Sequence, residues 1–246
     1  MEEQIIEKKK SKAPLIIFII LLFLFAVAGS SFGGYLFGKN DSCKDTPETG
    51  VVELKEEDVT VLMDRINIMD NHIAKLYPIS DVKTISNQDL LSLAVRDGIS
   101  ADQIESTIRY VIGDEVTVKH EDYKCDHDQY ALIKYNNGWY YYNNDHPGHG
   151  AGGGYVAIAF FKSAILQGDT ITLDTNLLYD YQGDIEGPTE SYYDAIGENK
   201  KEVLHNVEKN NLKAEYEKIK DNLPTTTFTF KQNKAGLYNL ESVVIK

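Results

Sequence analysis

An uninterrupted apolar stretch near the start of the chain limits what the rest of it can fold into. The stretch runs over residues 13–38 and contains no charged residue. A helix rises about 1.5 Å per residue, so about 20 apolar residues cross the hydrocarbon of a bilayer, and this stretch is longer than that. The sequence therefore predicts a transmembrane helix over residues 13–38, with all that follows on one side of the membrane.

The lysines before this stretch predict its orientation. Four of them, Lys8, Lys9, Lys10 and Lys12, lie immediately ahead of the apolar run. Basic residues beside a membrane helix stay preferentially in the cytoplasm. We therefore expect a cytoplasmic tail over residues 1–12 and a single-pass protein of the cell membrane whose C-terminal part is extracellular.

A cleaved signal peptide is the alternative reading of the same segment. Ala26-Val27-Ala28 has the A-x-A pattern of a signal-peptidase site, and cleavage there would release a soluble protein. The apolar character continues to Phe37, which makes the stretch longer than a signal core needs. We expect the anchor to be retained.

Two helical patterns raise the question of a homodimer. Gly29 and Gly33 form a G-x-x-x-G in the apolar stretch, a spacing that lets two membrane helices approach closely. Over residues 58–77, apolar residues recur at alternating spacings of three and four, which predicts an amphipathic helix. This seam is short for a coiled coil, so we expect it to pack on its own domain.

The remainder of the chain predicts a stalk followed by one α+β domain. Residues 39–57 are polar and read as a stalk, and residues 58–246 form the domain. Capping residues Ser86 and Ser100 begin two further short helices, and a last helix is expected over 198–222. Strands are predicted at 115–119, 129–135, 139–143, 155–166, 170–181, 226–231 and 237–245. Helices packed on a curved antiparallel sheet, of cystatin-like or NTF2-like type by analogy, are the predicted architecture.

Charge and layout limit the partners. The whole chain carries −13 and the tail +1, which leaves −14 for the part after the apolar stretch. An acidic domain argues against nucleic acid and anionic lipid. With its anchor, its acidic Tyr-rich exterior and its excess of lysine over arginine, the chain resembles uncharacterised membrane-anchored extracytoplasmic proteins of low-GC Gram-positive bacteria. The resemblance is one of layout and implies no activity.

The two cysteines follow the apolar stretch, where oxidation is permitted. A disulfide between Cys43 and Cys125 is one expectation, and two unrelated thiols are the other. A disulfide would withdraw Cys125 from any metal site.

The segment Lys134-Tyr-Asn-Asn-Gly-Trp-Tyr-Tyr-Tyr-Asn-Asn144 carries a second resemblance. It is similar to one unit of the repeats by which choline-binding and glucan-binding proteins hold cell-wall polymers on aromatic faces. Those repeats work as tandem arrays, and no second copy occurs in this chain. We expect a strand with alternate aromatics in the core, and cell-wall glycan binding through 139–142 remains an alternative.

Histidines cluster between residues 120 and 149. His146 and His149 flank a Pro-Gly turn that lets both rings reach one ion, with His120 or His127 as a third partner. Neutral imidazole is a good ligand for a divalent transition metal such as zinc. The alternative is that the turn only joins two strands and its histidines are solvated.

The sequence contains no G-x-S-x-G, H-E-x-x-H or EF-hand pattern, so it predicts no catalytic residues and leaves enzyme activity open. The function hypothesis is a membrane-anchored extracytoplasmic domain for binding or assembly with an extracytoplasmic protein or a cell-wall partner, without catalysis. The alternative is a metal-binding, hydrolytic domain that uses the histidine cluster.

Overall fold

The structure is a computed structural model that describes residues 50–124, 131–143, 155–181 and 189–246. Within these ranges the fold is α+β, with helices and antiparallel sheets, which confirms the predicted class. A search of the described helices finds none with the length and hydropathy needed to cross a bilayer. The predicted membrane helix over 13–38 and the tail before it lie outside the described residues.

The α-helices are α1 (Thr60–Ile73), α2 (Asn87–Ser92), α3 (Ala101–Val111) and α4 (Leu212–Ile219). The strands are β1 (Val51–Leu54), β2 (Ile99–Ser100), β3 (Tyr123–Lys124), β4 (Ala131–Asn136), β5 (Trp139–Tyr142), β6 (Tyr155–Gln167), β7 (Thr170–Tyr181), β8 (Thr189–Tyr193), β9 (Glu202–Glu208), β10 (Thr226–Gln232) and β11 (Tyr238–Ile245). Short 3-10 turns cover Glu56–Val59, Ala74–Leu76, Val82–Thr84, Lys209–Asn211 and Lys220–Asn222.

The strands form two antiparallel sheets. In the larger sheet the order is β1-β6-β7-β10-β11, and β8 pairs with the end of β7 and with β9. In the smaller sheet the order is β2-β5-β4-β3. The long β6–β7 hairpin and the terminal β10–β11 hairpin are both as predicted, because each is built from neighbouring segments with clear alternation around a short turn.

Helix α1 packs its apolar seam on the domain itself. Ile66, Met69 and Ile73 are completely buried, and they belong to the same core cluster as Phe228 and Phe230 of β10. Side-chain amides of the helix also form hydrogen bonds with the backbone of β6. Asn71 Oδ1 accepts a hydrogen bond from the Ala157 N–H at 2.9 Å. The prediction that this apolar seam packs on its own domain is confirmed.

Two charged residues of α1 also point inward. Arg65 is buried, and it donates from Nε to the Val111 carbonyl at 3.0 Å and from Nη1 to the Tyr238 carbonyl at 2.6 Å. Asp70 is completely buried and accepts a hydrogen bond from the Tyr77 hydroxyl at 2.6 Å. Arg65 thereby fastens α1 to the end of α3 and to β11.

Both predicted helix starts are observed. The Ser86 hydroxyl accepts a hydrogen bond from the Asp89 N–H at 3.2 Å, and Ser100 forms a complete capping box with Gln103. Gly113, two residues after α3, adopts a φ of 123° that favours glycine.

Two predicted elements are wrong. Residues 115–119 form no strand, and the helix predicted over 198–222 is instead β9 followed by the shorter α4. In this segment Leu204 lies opposite Tyr192 of β8, and Leu204 and Val207 are buried, so pairing with a strand decides its conformation. His205 falls within the predicted helix but lies on that strand, where its Nδ1 contacts Glu202 Oε1.

The domain begins earlier than the sequence indicates. Residues 51–57 fall within the predicted stalk, but β1 pairs with β6 in a register that joins Val51 to Gln167 and Leu54 to Ala164. The valines of β1 are exposed, which explains why the segment lacks the apolar periodicity of a buried strand.

Candidate functional site

The β4–β5 hairpin carries exposed aromatic side chains that the sequence singles out. Asn137 and Gly138 have φ values of 50° and 82°, and positive φ at both turn positions is what an Asn-Gly hairpin turn requires. The turn sets Asn136 opposite Trp139 and Lys134 opposite Tyr141. The predicted hairpin is confirmed, and its register places these four side chains on one face.

This face is open to solvent, and we call it the outer aromatic face: Lys134, Asn136, Trp139 and Tyr141. Trp139 is 45% exposed and Tyr141 is 47% exposed. Side chains two positions apart on a strand lie about 7 Å from one another, so the two rings are neighbours. The face therefore presents two adjacent aromatic rings flanked by an amide and an amine.

The opposite face of β5 points toward the core. Tyr140 is completely buried, as predicted for alternate aromatics, whereas Tyr142 stays half exposed on the same side of the strand. Burial of Tyr140 fixes the strand's orientation, and so fixes which rings face solvent.

Backbone contacts hold β5 in place on both sides. On the β2 side, the Gly98 N–H donates to the Tyr140 carbonyl at 2.9 Å, and the Ala101 N–H donates to the Gly138 carbonyl at 2.8 Å. The Tyr142 N–H donates to Asp97 Oδ1 at 2.7 Å. With β4 on its other side, β5 is an interior strand, and the outer aromatic face is built on a rigid element rather than on a loop.

A chain of three polar side chains lies beneath β5. His120 Nδ1 lies 3.0 Å from the Tyr140 hydroxyl, and its Nε2 lies 3.0 Å from Glu105 Oε1 on α3. A neutral imidazole satisfies both contacts when the hydroxyl donates to Nδ1 and Nε2–H donates to the carboxylate. The His120 ring also stacks on Tyr135 with centroids 5.3 Å apart. Burial raises the pKa of Tyr140 to about 12, so its hydroxyl remains protonated at neutral pH.

These contacts bear on the predicted metal site. Because both ring nitrogens of His120 already have partners, a metal ion would have to displace Glu105 or Tyr140 to bind there. In the ranges that the structure covers, no three histidine, cysteine or acidic side chains are grouped as metal ligands. The other histidines of the prediction, His127, His146 and His149, lie outside the described residues, as do Cys43 and Cys125.

A second polar cluster, which the sequence did not reveal, lies where β7 meets β8. Burial, followed by the charge of Glu190, raises the pKa of Asp180 to about 6, and Glu190 is held by Lys209 and by the Tyr192 hydroxyl at 2.9 Å. The ion pair between Glu190 and Lys209 links β8 to the segment that follows β9. Asp180, Glu190 and Lys209 lie on different elements of the chain and follow no motif, so no sequence signal indicates this cluster.

We expect Tyr140→Phe to lower the free energy of unfolding by about 1 kcal/mol, because the change removes the hydrogen bond between the Tyr140 hydroxyl and His120 Nδ1. Urea unfolding of the full-length protein measures this. Tyr141→Phe is the matched control on the exposed face and should change stability by less than about 0.5 kcal/mol. Equal losses in the two variants would contradict the role of the Tyr140 hydroxyl.

Comparison with protein-family models, with curated proteins and with solved structures found no match to this chain.

Proposed function

We propose that this chain is a single-pass membrane protein whose extracytoplasmic domain binds a neutral cell-wall polysaccharide on the outer aromatic face. The observation that carries the proposal is the exposure of Trp139 and Tyr141, 45% and 47%, as neighbours on one face of a strand that is fixed on both sides. Rigid, exposed aromatic rings lose little conformational entropy on binding and make effective anchors.

The polar neighbours of the two rings favour a sugar over an apolar protein surface. A pyranose ring has a C–H face that packs on an aromatic ring, and hydroxyl groups around its edge that need hydrogen-bond partners. Asn136, opposite Trp139, and Asn137 in the turn are exposed amides at the rim of the rings. A purely apolar partner would desolvate these amides without bonding them, which costs free energy.

Charge narrows the class of polysaccharide. The part of the chain after the apolar stretch carries −14, so a polyanionic wall polymer would be repelled. A neutral glycan strand, such as one of N-acetylated amino sugars, meets no such barrier. The anchor predicted over residues 13–38 would hold the domain where such strands lie.

The alternatives have less support. The metal-binding hypothesis needs a third ligand beside His146 and His149, and the partners of His120 weaken that candidate.

For the fold, the long β6–β7 hairpin with a bulge between Phe161 and Ser163, and α1 packed on β6, support the curved cystatin-like or NTF2-like sheet. We propose this finer fold assignment and a domain that does not catalyse a reaction.

The test is sedimentation of the full-length protein with insoluble peptidoglycan stripped of anionic polymers, in a detergent without a sugar headgroup. We expect binding to weaken about tenfold or more in a Trp139→Ala/Tyr141→Ala double variant, because each aromatic anchor contributes more than about 1 kcal/mol. Tyr110→Ala, which removes a ring of similar exposure from α3, is the matched control and should bind as the parent does. Equal binding by the double variant and the parent would refute the proposal.

A further inference from the structure

A group of tyrosines at one end of the β6–β7 hairpin forms a second aromatic feature. Tyr155 begins β6, Tyr181 ends β7 and Tyr193 ends β8, and all three rings are half-buried. The register places Tyr155 opposite Tyr181, and Tyr193 pairs with Tyr179, two residues before Tyr181. We call Tyr155, Tyr181 and Tyr193 the tyrosine cage.

The rings of the cage stand at an angle to one another. Tyr181 and Tyr193 have centroids 5.3 Å apart and ring planes at 84°, so they form two perpendicular walls. Tyr155 adjoins Tyr181 at 6.4 Å with an angle of 51°. The face of an aromatic ring is electron-rich, so a cation that lies over the faces of two adjoining rings is attracted by both.

A cation from the chain itself occupies this space. The Lys200 ammonium lies 3.6 Å from the centroid of the Tyr181 ring and 5.0 Å from that of Tyr193. Both distances are within the range of a cation–π interaction. Within the described residues, the contacts of this ammonium group are with rings rather than with a carboxylate.

The turn that carries Lys200 is tied to the cage. The Gly197 N–H donates to the Tyr181 hydroxyl at 3.1 Å, which fixes the orientation of that ring. At the base of the turn, the Asp194 N–H donates to the Lys201 carbonyl at 3.0 Å, and Asp194 Oδ1 accepts from the Lys201 N–H at 2.9 Å. The turn and the Tyr181 ring are therefore held by contacts that do not involve the Lys200 side chain.

We propose that the tyrosine cage is a binding site for a quaternary ammonium group, and that Lys200 is its built-in competitor. A primary ammonium carries three N–H donors and is strongly hydrated, so an aromatic cage compensates its desolvation poorly. A trimethylammonium group has no N–H to satisfy and packs its methyl groups on the ring faces. The acidic exterior adds a general attraction for cations.

Competition by Lys200 predicts how the affinity for a cation should change when this lysine is removed. Because Lys200 is tethered beside the cage, it lowers the apparent affinity for any cation that binds there. A lysine over aromatic rings at an exposed site is stabilised by roughly 0.5–1 kcal/mol, so removing it should tighten binding about two- to fivefold. This site is separate from the outer aromatic face, and its test does not depend on polysaccharide binding.

The experiment is a titration of the full-length protein with choline, followed by ligand-observed NMR, in a detergent without a quaternary ammonium group. We expect weak binding by the parent, about two- to fivefold tighter binding by Lys200→Ala, and loss of binding when Tyr193→Leu is added to that variant. Lys201→Ala is the matched control, because it removes a neighbouring lysine and should leave the affinity unchanged. Far-UV circular dichroism verifies that each variant is folded.

A second arm tests the chemistry. The carbon analogue of choline, in which a tert-butyl group replaces the trimethylammonium group, has the same shape without the charge and should not bind. Three outcomes would each overturn the proposal: no binding of choline by Lys200→Ala, equal affinity in Lys200→Ala and the parent, or equal binding of choline and its uncharged analogue.

Discussion

The parent protein should lose stability steeply between about pH 4 and pH 8, and Asp70→Asn should abolish this loss. Relative to the variant, the free energy of unfolding of the parent should fall by about 4 kcal/mol between pH 5 and pH 8. Asp70 is completely buried, and burial raises its pKa from 3.8 to about 8, while the hydrogen bond from Tyr77 acts in the opposite direction. The variant cannot ionise, and its amide oxygen can still accept the Tyr77 hydroxyl.

The sign follows from where the proton is held. The folded-state pKa is raised, so the stabilisation is fully present below the unfolded pKa of 3.8 and is lost as the pH rises to about 8. Over that window the folded state keeps a proton that the unfolded state releases, which costs about 1.4 kcal/mol of stability per pH unit.

Urea unfolding of the parent and the variant at several pH values measures the difference. Other titrating groups contribute equally to both proteins, so the difference isolates Asp70. Asp64→Asn changes an exposed aspartate of the same helix and should follow the parent at every pH. Parallel curves for the parent and Asp70→Asn would show that Asp70 is ionised in the folded protein.

Gly113→Ala should lower the free energy of unfolding by about 3–5 kcal/mol, the combined cost of backbone strain and overpacking. Gly113 has a φ of 123°, and a Cβ added there would lie 2.3 Å from Oδ1 of Asn239 and 2.7 Å from its Cβ. Asn239 cannot move away freely, because it is buried and its Oδ1 accepts the Asp114 N–H at 3.1 Å.

Gly168→Ala is the control for this change. Gly168 lies in the β6–β7 turn with a φ of 63°, and no atom lies within 4 Å of an added Cβ. It should cost only the strain of a left-handed residue, about 1–2 kcal/mol. If chemical denaturation gave equal losses for the two variants, the close contact with Asn239 would not be the cause.

Local signals in the sequence account for the elements that were predicted correctly. The alternating spacing of three and four places Leu62, Ile66, Met69 and Ile73 on one side of α1, and all four are buried. The same spacing places Arg65 three residues after Leu62, and Asp70 four residues after Ile66, on that buried side. The helical period therefore places the two charged residues on the buried side together with the apolar residues of the seam.

Contacts between distant residues explain what the sequence could not predict. Residues 202–208 carry apolar side chains at spacings that fit a helix, and their strand exists because β8 pairs with them. The alternation of Trp139–Tyr142 predicts two faces for β5, but which face is open depends on His120 and Glu105, which lie on the side of the buried Tyr140. Lys200 reaches the tyrosine cage only through the turn that joins β8 to β9.

The chain contains a single tryptophan, and it lies on the outer aromatic face, so its fluorescence reports directly on the proposed binding surface. Titration of the full-length protein with soluble oligomers of N-acetylglucosamine should shift the emission of Trp139 to shorter wavelength in a saturable manner. Saturating ligand should also protect Trp139 from quenching by acrylamide, because a sugar stacked on the ring excludes water and quencher. Saturable binding in a parallel calorimetric titration, with emission and quenching of Trp139 unchanged, would contradict the assignment of this face as the polysaccharide site.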